Sequence, residues 1–93
     1  MPKVRPLTQR QREEQAIQME IQRASQLVLN AAREKRGRED KTYAQVARDI
    51  GVCPNTFLKW RGGKLPDASF GGVIAACARM GYRLTLEPFP FCQ

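Results

Sequence analysis

The first third of the chain carries apolar residues at helical spacing. They recur at steps of four, three, four and three positions: Ile17, Ile21, Ala24, Val28 and Ala31. This spacing places them on one face of a helix, and the opposite face carries Gln, Arg and Glu. Thr8 and Gln11 have the spacing of a capping box, and neither glycine nor proline follows until Gly37. The pattern predicts one helix of about 28 residues, roughly 42 Å long.

A helix of this length exceeds what a small domain needs. Its first part, up to about Ser25, is expected either to project from the body of the domain or to pack on a partner chain. A bend near Ala24 is the alternative. Residues 37–41 are expected to form a polar connection, and residues 1–7, with two prolines and two cations, a flexible basic arm.

Two short helices follow this connection. Thr42 and Gln45 repeat the capping box, so a helix is expected over residues 43–50, and Gly51 supplies the positive φ that ends it. Pro54 suits the first turn of the next helix. The positions that face inward carry apolar residues of suitable size: Val46, Ala47, Ile50, Val52, Phe57 and Trp60. Residues 43–61 are therefore predicted to form a helix-turn-helix motif.

The C-terminal part predicts one more helix and a strand. Asp67 is in position to cap a helix over residues 68–80, which Gly81 would stop. Residues 82–87 alternate apolar with polar, as a β-strand does. The expected fold is all-α, a single domain over residues 8–87 with a helix-turn-helix core of about four helices. It has a long N-terminal helix, a short C-terminal strand available for pairing across a dimer, and a tail over 88–93.

In this layout the sequence resembles the lambda-repressor-like (Cro/C1, XRE) family of bacterial and phage regulators. The resemblance covers residues 42–64 in motif and residues 27–80 in layout. It implies a compact helical domain that places the second motif helix in the major groove, usually as a dimer on a palindromic operator. Residues 65–86 look like the ending of small phage, plasmid and mobile-element regulators and related antitoxins, some of which pair a C-terminal strand across the dimer. The chain departs from the standard domain in its long first helix and in having one helix fewer after the motif.

Composition narrows the classes of function. The 93 residues include 16 Lys and Arg against 9 Asp and Glu, a net charge of +7, and no histidine. The usual general base and zinc ligand are therefore missing, which disfavours an enzyme, while the charge favours an anionic partner. The whole excess of positive charge lies in residues 1–64. Solubility alone is the alternative reason for this charge.

Cysteine usage and the N-terminus indicate the compartment. The three cysteines have no C-x-x-C spacing and form no recognisable metal set, so no metal and no other cofactor is expected. An odd number of cysteines fits a reducing cytoplasm. The opening MPKVRPLTQRQR has no apolar core like that of a signal peptide. We therefore expect a cytoplasmic protein that does not contact a membrane.

Four positions of the second motif helix are candidates for reading bases: Asn55, Thr56, Leu58 and Lys59. They fall on the outer face when Phe57 and Trp60 point inward. Asparagine can pair with adenine, lysine can donate to guanine, and a methyl group or leucine can touch the thymine methyl. The alternatives are helix capping for the first two, a minor core contact for the leucine, and a solvated or phosphate-bound cation for the lysine.

Other candidate contacts surround this helix. Phosphate contacts are expected from Lys41, Thr42, Tyr43, Gln45, Arg48, Arg61 and Lys64. In the arm, Lys3 and Arg5 are candidates for a minor groove, with a disordered solubilising tail as the alternative. The candidate dimer contacts are the apolar residues of the strand and tail: Tyr82, Leu84, Leu86, Phe89 and Phe91. Arg83 can pair with Glu87 or with a partner chain.

Three hypotheses of function follow. The leading one is a sequence-specific DNA-binding transcriptional regulator, a homodimeric repressor of a small mobile-element or prophage operon that occludes a promoter. Its partner is double-stranded DNA with a palindromic operator. The second is an antitoxin-type protein that binds DNA in the same way and also binds and neutralises a toxin, through the long helix or the strand. The third is a protein–protein module in which the motif is only a scaffold.

Overall fold

The computed structural model describes residues 8–89 of the chain, and four α-helices account for most of them. These helices are α1 (Gln9–Glu39), α2 (Tyr43–Asp49), α3 (Pro54–Lys59) and α4 (Phe70–Arg79). A kinked π-helical turn (Trp60–Lys64) and a 3-10 turn (Leu65–Asp67) connect α3 with α4. This part of the chain is all-α, as the sequence predicts. None of its helices is both long and apolar enough to cross a membrane.

α1 begins where the sequence predicts. Thr8 Oγ1 accepts a hydrogen bond from the Gln11 N–H at 3.1 Å, and the Gln11 side chain accepts one from the Thr8 N–H at 2.9 Å. The helix then runs for 31 residues without a break at Ala24. Its first fully buried residue is Ala32, and the longest dimension of the molecule is 54 Å. The N-terminal half of α1 therefore extends beyond the core of the domain.

α1 ends later than the sequence predicts. The polar connection expected over residues 37–41 is wrong in its first part, because the helix continues through Gly37 to Glu39. The Lys35 ammonium lies 2.6 Å from the Glu39 carboxylate, one helical turn away, so this ion pair spans the glycine. Asp40, in the left-handed conformation with φ 52°, ends the helix instead.

The core lies where α2 and α3 pack on each other and on the second half of α1. Val46 and Ala47 of α2 are 0% exposed, and Ile50 is 1% exposed. Phe57 and Trp60 pack against them from the other side, with their ring centroids 6.2 Å apart in an edge-on arrangement. The sequence assigns all five of these residues to the interior, and the structure confirms it.

A tight turn after α2 sets the direction of α3. Gly51 has φ 78°, and the Val52 N–H donates to the Ala47 carbonyl at 2.8 Å, which is the long hydrogen bond of a Schellman motif. Val52 then packs into the core. Arg79 of α4 donates from Nη1 to the Ile50 carbonyl at 3.2 Å, so α4 is tied to the same turn.

α4 begins at Phe70, two residues later than the sequence predicts. The Ser69 hydroxyl accepts a hydrogen bond from the Gly72 N–H at 3.2 Å, so Ser69 is the capping residue and the prediction of Asp67 is wrong. Asp67 belongs to the 3-10 turn that buries Leu65, and Ala68 after it is extended. The extended residue separates the 3-10 turn from α4.

The strand predicted over residues 82–87 is not formed in this chain. Residues 82–89 have no regular secondary structure, because a β-strand needs a hydrogen-bonded neighbour and residues 8–81 contain no strand. The segment runs beside α1, and the two line a groove of about 880 Å³. Leu27 of α1 and Leu84 of the segment, both about half exposed, lie on its walls.

Two glycines provide a matched test of this backbone. A Cβ at Gly51 would lie 2.1 Å from Nη1 of Arg79, and the φ of 78° strains any other residue. Gly37 lies in a helix with nothing within 4 Å of the same position. Gly51→Ala should lower the free energy of unfolding by about 1–2 kcal/mol, and Gly37→Ala should raise it by about 0.5–1 kcal/mol. Urea unfolding followed by circular dichroism measures both, and a shift of the same sign in the two variants would contradict the assigned turn.

Candidate nucleic-acid interface

The exposed side of α3 carries the four residues predicted to read bases: Asn55, Thr56, Leu58 and Lys59. Burial of Phe57 and Trp60 fixes this orientation, because both anchors hold the other side of α3 in the core. Leu58 is 63% exposed, so it is not a core residue. Cys53 precedes α3 as its cap residue without a side-chain hydrogen bond. The side chains of Asn55, Thr56 and Lys59 make no hydrogen bond within the described residues, so their polar atoms are available to a ligand.

Unneutralised cations surround α3. Four of them lie on the surface without a carboxylate within ion-pair distance in the described residues: Arg48, Lys59, Arg61 and Lys64. The nearby carboxylate of Asp49 is already paired with Lys41. The surface beside α3 is therefore positive, which suits an anionic ligand.

Lys41, a predicted phosphate contact, lies between two carboxylates. Its ammonium is 3.0 Å from Glu39 and also pairs with Asp49. These hydrogen bonds raise the pKa of Lys41. Glu39 in turn accepts hydrogen bonds from Lys35 and Lys41, and these lower its pKa to about 2. The charge of Lys41 is neutralised within the chain, so this residue is a weaker candidate for phosphate than the four unpaired cations.

Thr42 and Gln45 cap α2 and still keep donors for a ligand. Thr42 Oγ1 accepts from the Gln45 N–H at 3.2 Å, and Gln45 Oε1 accepts from the Thr42 N–H at 2.9 Å. Both contacts use acceptor atoms. The hydroxyl hydrogen of Thr42 and the amide NH₂ of Gln45 are left to donate to a phosphate oxygen.

Tyr43 packs with two arginines at the start of α2. The guanidinium carbon of Arg61 lies 3.6 Å from the centre of the Tyr43 ring, and that of Arg36 lies 4.7 Å from it. The Phe57 ring, 6.2 Å from the tyrosine, supports it from the core side. Sequence reasoning missed Arg36, because it belongs to α1 and no local spacing relates it to a motif that starts seven residues later.

The predicted dimer contacts lie in the segment beside α1. Leu86 is fully exposed, Tyr82 and Leu84 are about half exposed, and Phe89 is partly buried. On α1, Arg23 has a raised pKa, mainly through its hydrogen bond to Glu20 and to a smaller extent through the charge of Glu87 in this segment. The fifth predicted dimer contact, Phe91, and the two predicted minor-groove contacts, Lys3 and Arg5, lie outside the described residues.

The cysteines of the described part are not arranged as a reactive or metal-binding site. Cys53 is exposed, whereas Cys77 is buried in α4, and burial raises the pKa of its thiol. Between residues 8 and 89, no three His, Cys, Asp or Glu side chains come together as metal ligands.

No model of a known protein family matches this chain, and no curated protein or solved structure matches it either. The function is therefore inferred from the chain's own residues and their geometry.

The Glu39 ion pairs should make part of the stability depend on acid pH. The carboxylate has a pKa of about 2 in the folded protein against an ordinary 4.5. Its contribution is therefore fully present above the unfolded value and is lost as the pH falls through the folded value. As the pH falls from 4.5 to about 2, Glu39→Gln should therefore lose less stability than the wild type. Urea unfolding at each pH measures this loss.

The matched control is Glu13→Gln, because Glu13 has no ion-pair partner in the described residues. This variant should follow the wild-type curve. An equal loss of stability in the wild type and Glu39→Gln would contradict the role of the pairs.

Proposed function

We propose that the chain is a sequence-specific DNA-binding transcriptional regulator with a helix-turn-helix motif over residues 43–61. The observation that carries the proposal is the outer face of α3, where polar and methyl-bearing side chains stand exposed with unpaired cations beside them. A short helix held from behind by two buried aromatics is a rigid support for such a face. The resemblance of the motif to lambda-repressor-like regulators supports the same proposal.

In this proposal α3 lies in the major groove and its outer face reads base edges. Asn55 pairs with an adenine through both groups of its amide, and Lys59 donates to a guanine. Leu58 contacts the methyl group of a thymine, which explains a leucine that is 63% exposed in the free chain. Thr42, Gln45 and the unpaired cations hold the phosphates and set the register of the helix on the duplex.

We propose that the repressor binds a two-fold operator as two copies, which residues 82–87 join as antiparallel strands. If Thr85 pairs with Thr85 of the second copy, Arg83 faces Glu87 of that copy and Leu84 faces Leu86. Within one extended strand, Arg83 and Glu87 lie about 13 Å apart, which is too far for an ion pair. Across the dimer they are direct neighbours. Two copies of α3 then enter successive major grooves about 34 Å apart and occlude a promoter.

Removing the base-reading side chains should abolish sequence preference and keep the fold. The wild-type protein, used to select from random duplexes, should enrich a consensus with two-fold symmetry. Asn55→Ala combined with Lys59→Ala should bind that consensus about 100-fold more weakly in fluorescence anisotropy, since each good base contact discriminates by about 1–3 kcal/mol. Both residues are exposed, so thermal unfolding should be unchanged within about 1 kcal/mol.

The control combines Gln15→Ala with Arg12→Ala, which removes one polar and one cationic side chain from the exposed N-terminal half of α1. It should bind the consensus as the wild type does. Failure to enrich any consensus, or retained affinity in the α3 variant, would overturn the proposed function.

Charge reversal tests the proposed strand pairing. Arg83→Glu or Glu87→Arg alone places like charges opposite each other twice in the dimer. Each single variant should therefore dissociate about tenfold more readily, since one cross-strand ion pair contributes roughly 0.2–1 kcal/mol. The double variant restores opposite charges and should dimerise as the wild type does in sedimentation equilibrium. A double variant no tighter than either single one, or a monomeric wild type at micromolar concentration, would rule out this pairing.

A further inference from the structure

Two segments of the chain each bring an arginine to an aromatic ring that a third segment supplies. Arg36 comes from α1, Tyr43 from α2 and Arg61 from the turn after α3. The guanidinium carbons of the arginines lie 4.7 and 3.6 Å from the centre of the tyrosine ring. The ring itself is partly buried and packs on Phe57, which is 2% exposed. The stack is thus fixed to the core rather than formed by mobile surface side chains.

The stacked arginines keep their hydrogen-bonding edges. A guanidinium carries its five N–H donors around the edge of a planar group, so an aromatic ring beside its central carbon leaves donors at that edge for a ligand. Neither arginine has a carboxylate within ion-pair distance in the described residues. By contrast, Lys35 at the same end of α1 is paired with Glu39. Two cations therefore share one ring, and residues 8–89 supply no carboxylate that pairs with either of them.

We propose that Arg36, Tyr43 and Arg61 form a phosphate clamp, in which both guanidinium groups hold the DNA backbone and the tyrosine is a positioning residue. The ligand chemistry is a phosphate group with oxygens that accept from planar N–H donors. This proposal rests on the proposed function for the source of the phosphate, the backbone of duplex DNA. What it adds to the proposed function is Arg36, which brings α1 into the interface with DNA.

The clamp links α1 to the end of α3 through the ligand. A phosphate held at the same time from residues 36 and 61 fixes the angle at which α3 meets the groove, because the two residues belong to different elements. Such a contact carries no sequence information, so it strengthens binding to every duplex. Its signature is the dependence of affinity on salt, since each phosphate contact releases counterions.

The test measures duplex affinity between about 50 and 200 mM salt by fluorescence anisotropy. Because both arginines hold the same phosphate, the double variant should reduce the slope of log affinity against log salt by about 0.9, and Arg36→Ala and Arg61→Ala should each reduce it by part of that amount. Tyr43→Phe keeps the ring and should match the wild type, whereas Tyr43→Leu should lose affinity several-fold. Arg12→Ala, which removes an exposed arginine from the other end of α1, should leave the slope unchanged. Thermal unfolding of each variant is the check that the fold is retained.

A second arm uses inorganic phosphate alone and needs no DNA. The side-chain Nε–H resonances of Arg36 and Arg61 should shift with phosphate in the wild type and in Tyr43→Phe, but not in Tyr43→Leu. An unchanged salt slope in Arg36→Ala, or an absence of these shifts, would overturn the clamp and leave the proposed function standing. If the wild type binds no duplex while phosphate still shifts both resonances, the phosphate site stands and the proposed function falls.

Discussion

Burial of Phe57 and Trp60 against α2 is the contact on which the rest of the structure depends. A helix of six residues, as α3 is, has no stability of its own, so its orientation comes from its anchors. Ala47 leaves room for the close approach of α2 and α3, and Gly51 turns the chain between them. Once these two aromatic side chains are buried, the remaining side chains of α3 lie on its outer face. The interior packing therefore determines which side chains a ligand meets.

The distribution of ion pairs separates two surfaces of the molecule. The carboxylates of Glu20 and Glu39 on α1 neutralise neighbouring cations. The cations beside α3, and Arg36 at the C-terminal end of α1, have no ion-pair partner within the described residues. Of the large apolar residues exposed in residues 8–89, only Leu58 lies on α2 or α3. The others lie on α1, α4 and residues 82–86. A positive surface that suits a nucleic acid thus lies around α3 and the C-terminal end of α1, and an apolar surface that suits a second copy lies on residues 17–27 of α1, on α4 and on residues 82–86.

The sequence predicts best where one residue determines one local hydrogen bond or one turn. Thr8 and Thr42 cap their helices as their spacing indicates, because a capping box is a local arrangement. Gly37 misled the prediction of the end of α1, since an exposed glycine weakens a helix without ending it. The pairing of Lys41 with Asp49 and the convergence on Tyr43 depend on how α1 packs on the motif. No linear spacing records that packing.

The central claim, that the outer face of α3 meets DNA, is tested most directly by a nuclear magnetic resonance titration. The ¹⁵N-labelled full chain is mixed with a short duplex carrying a sequence that the protein selects from a random pool. The largest amide shifts are predicted over residues 55–61 and at the start of α2, with residues 9–19 of α1 unchanged. Shifts confined to α1 and residues 82–89, with α3 unaffected, would contradict the claim.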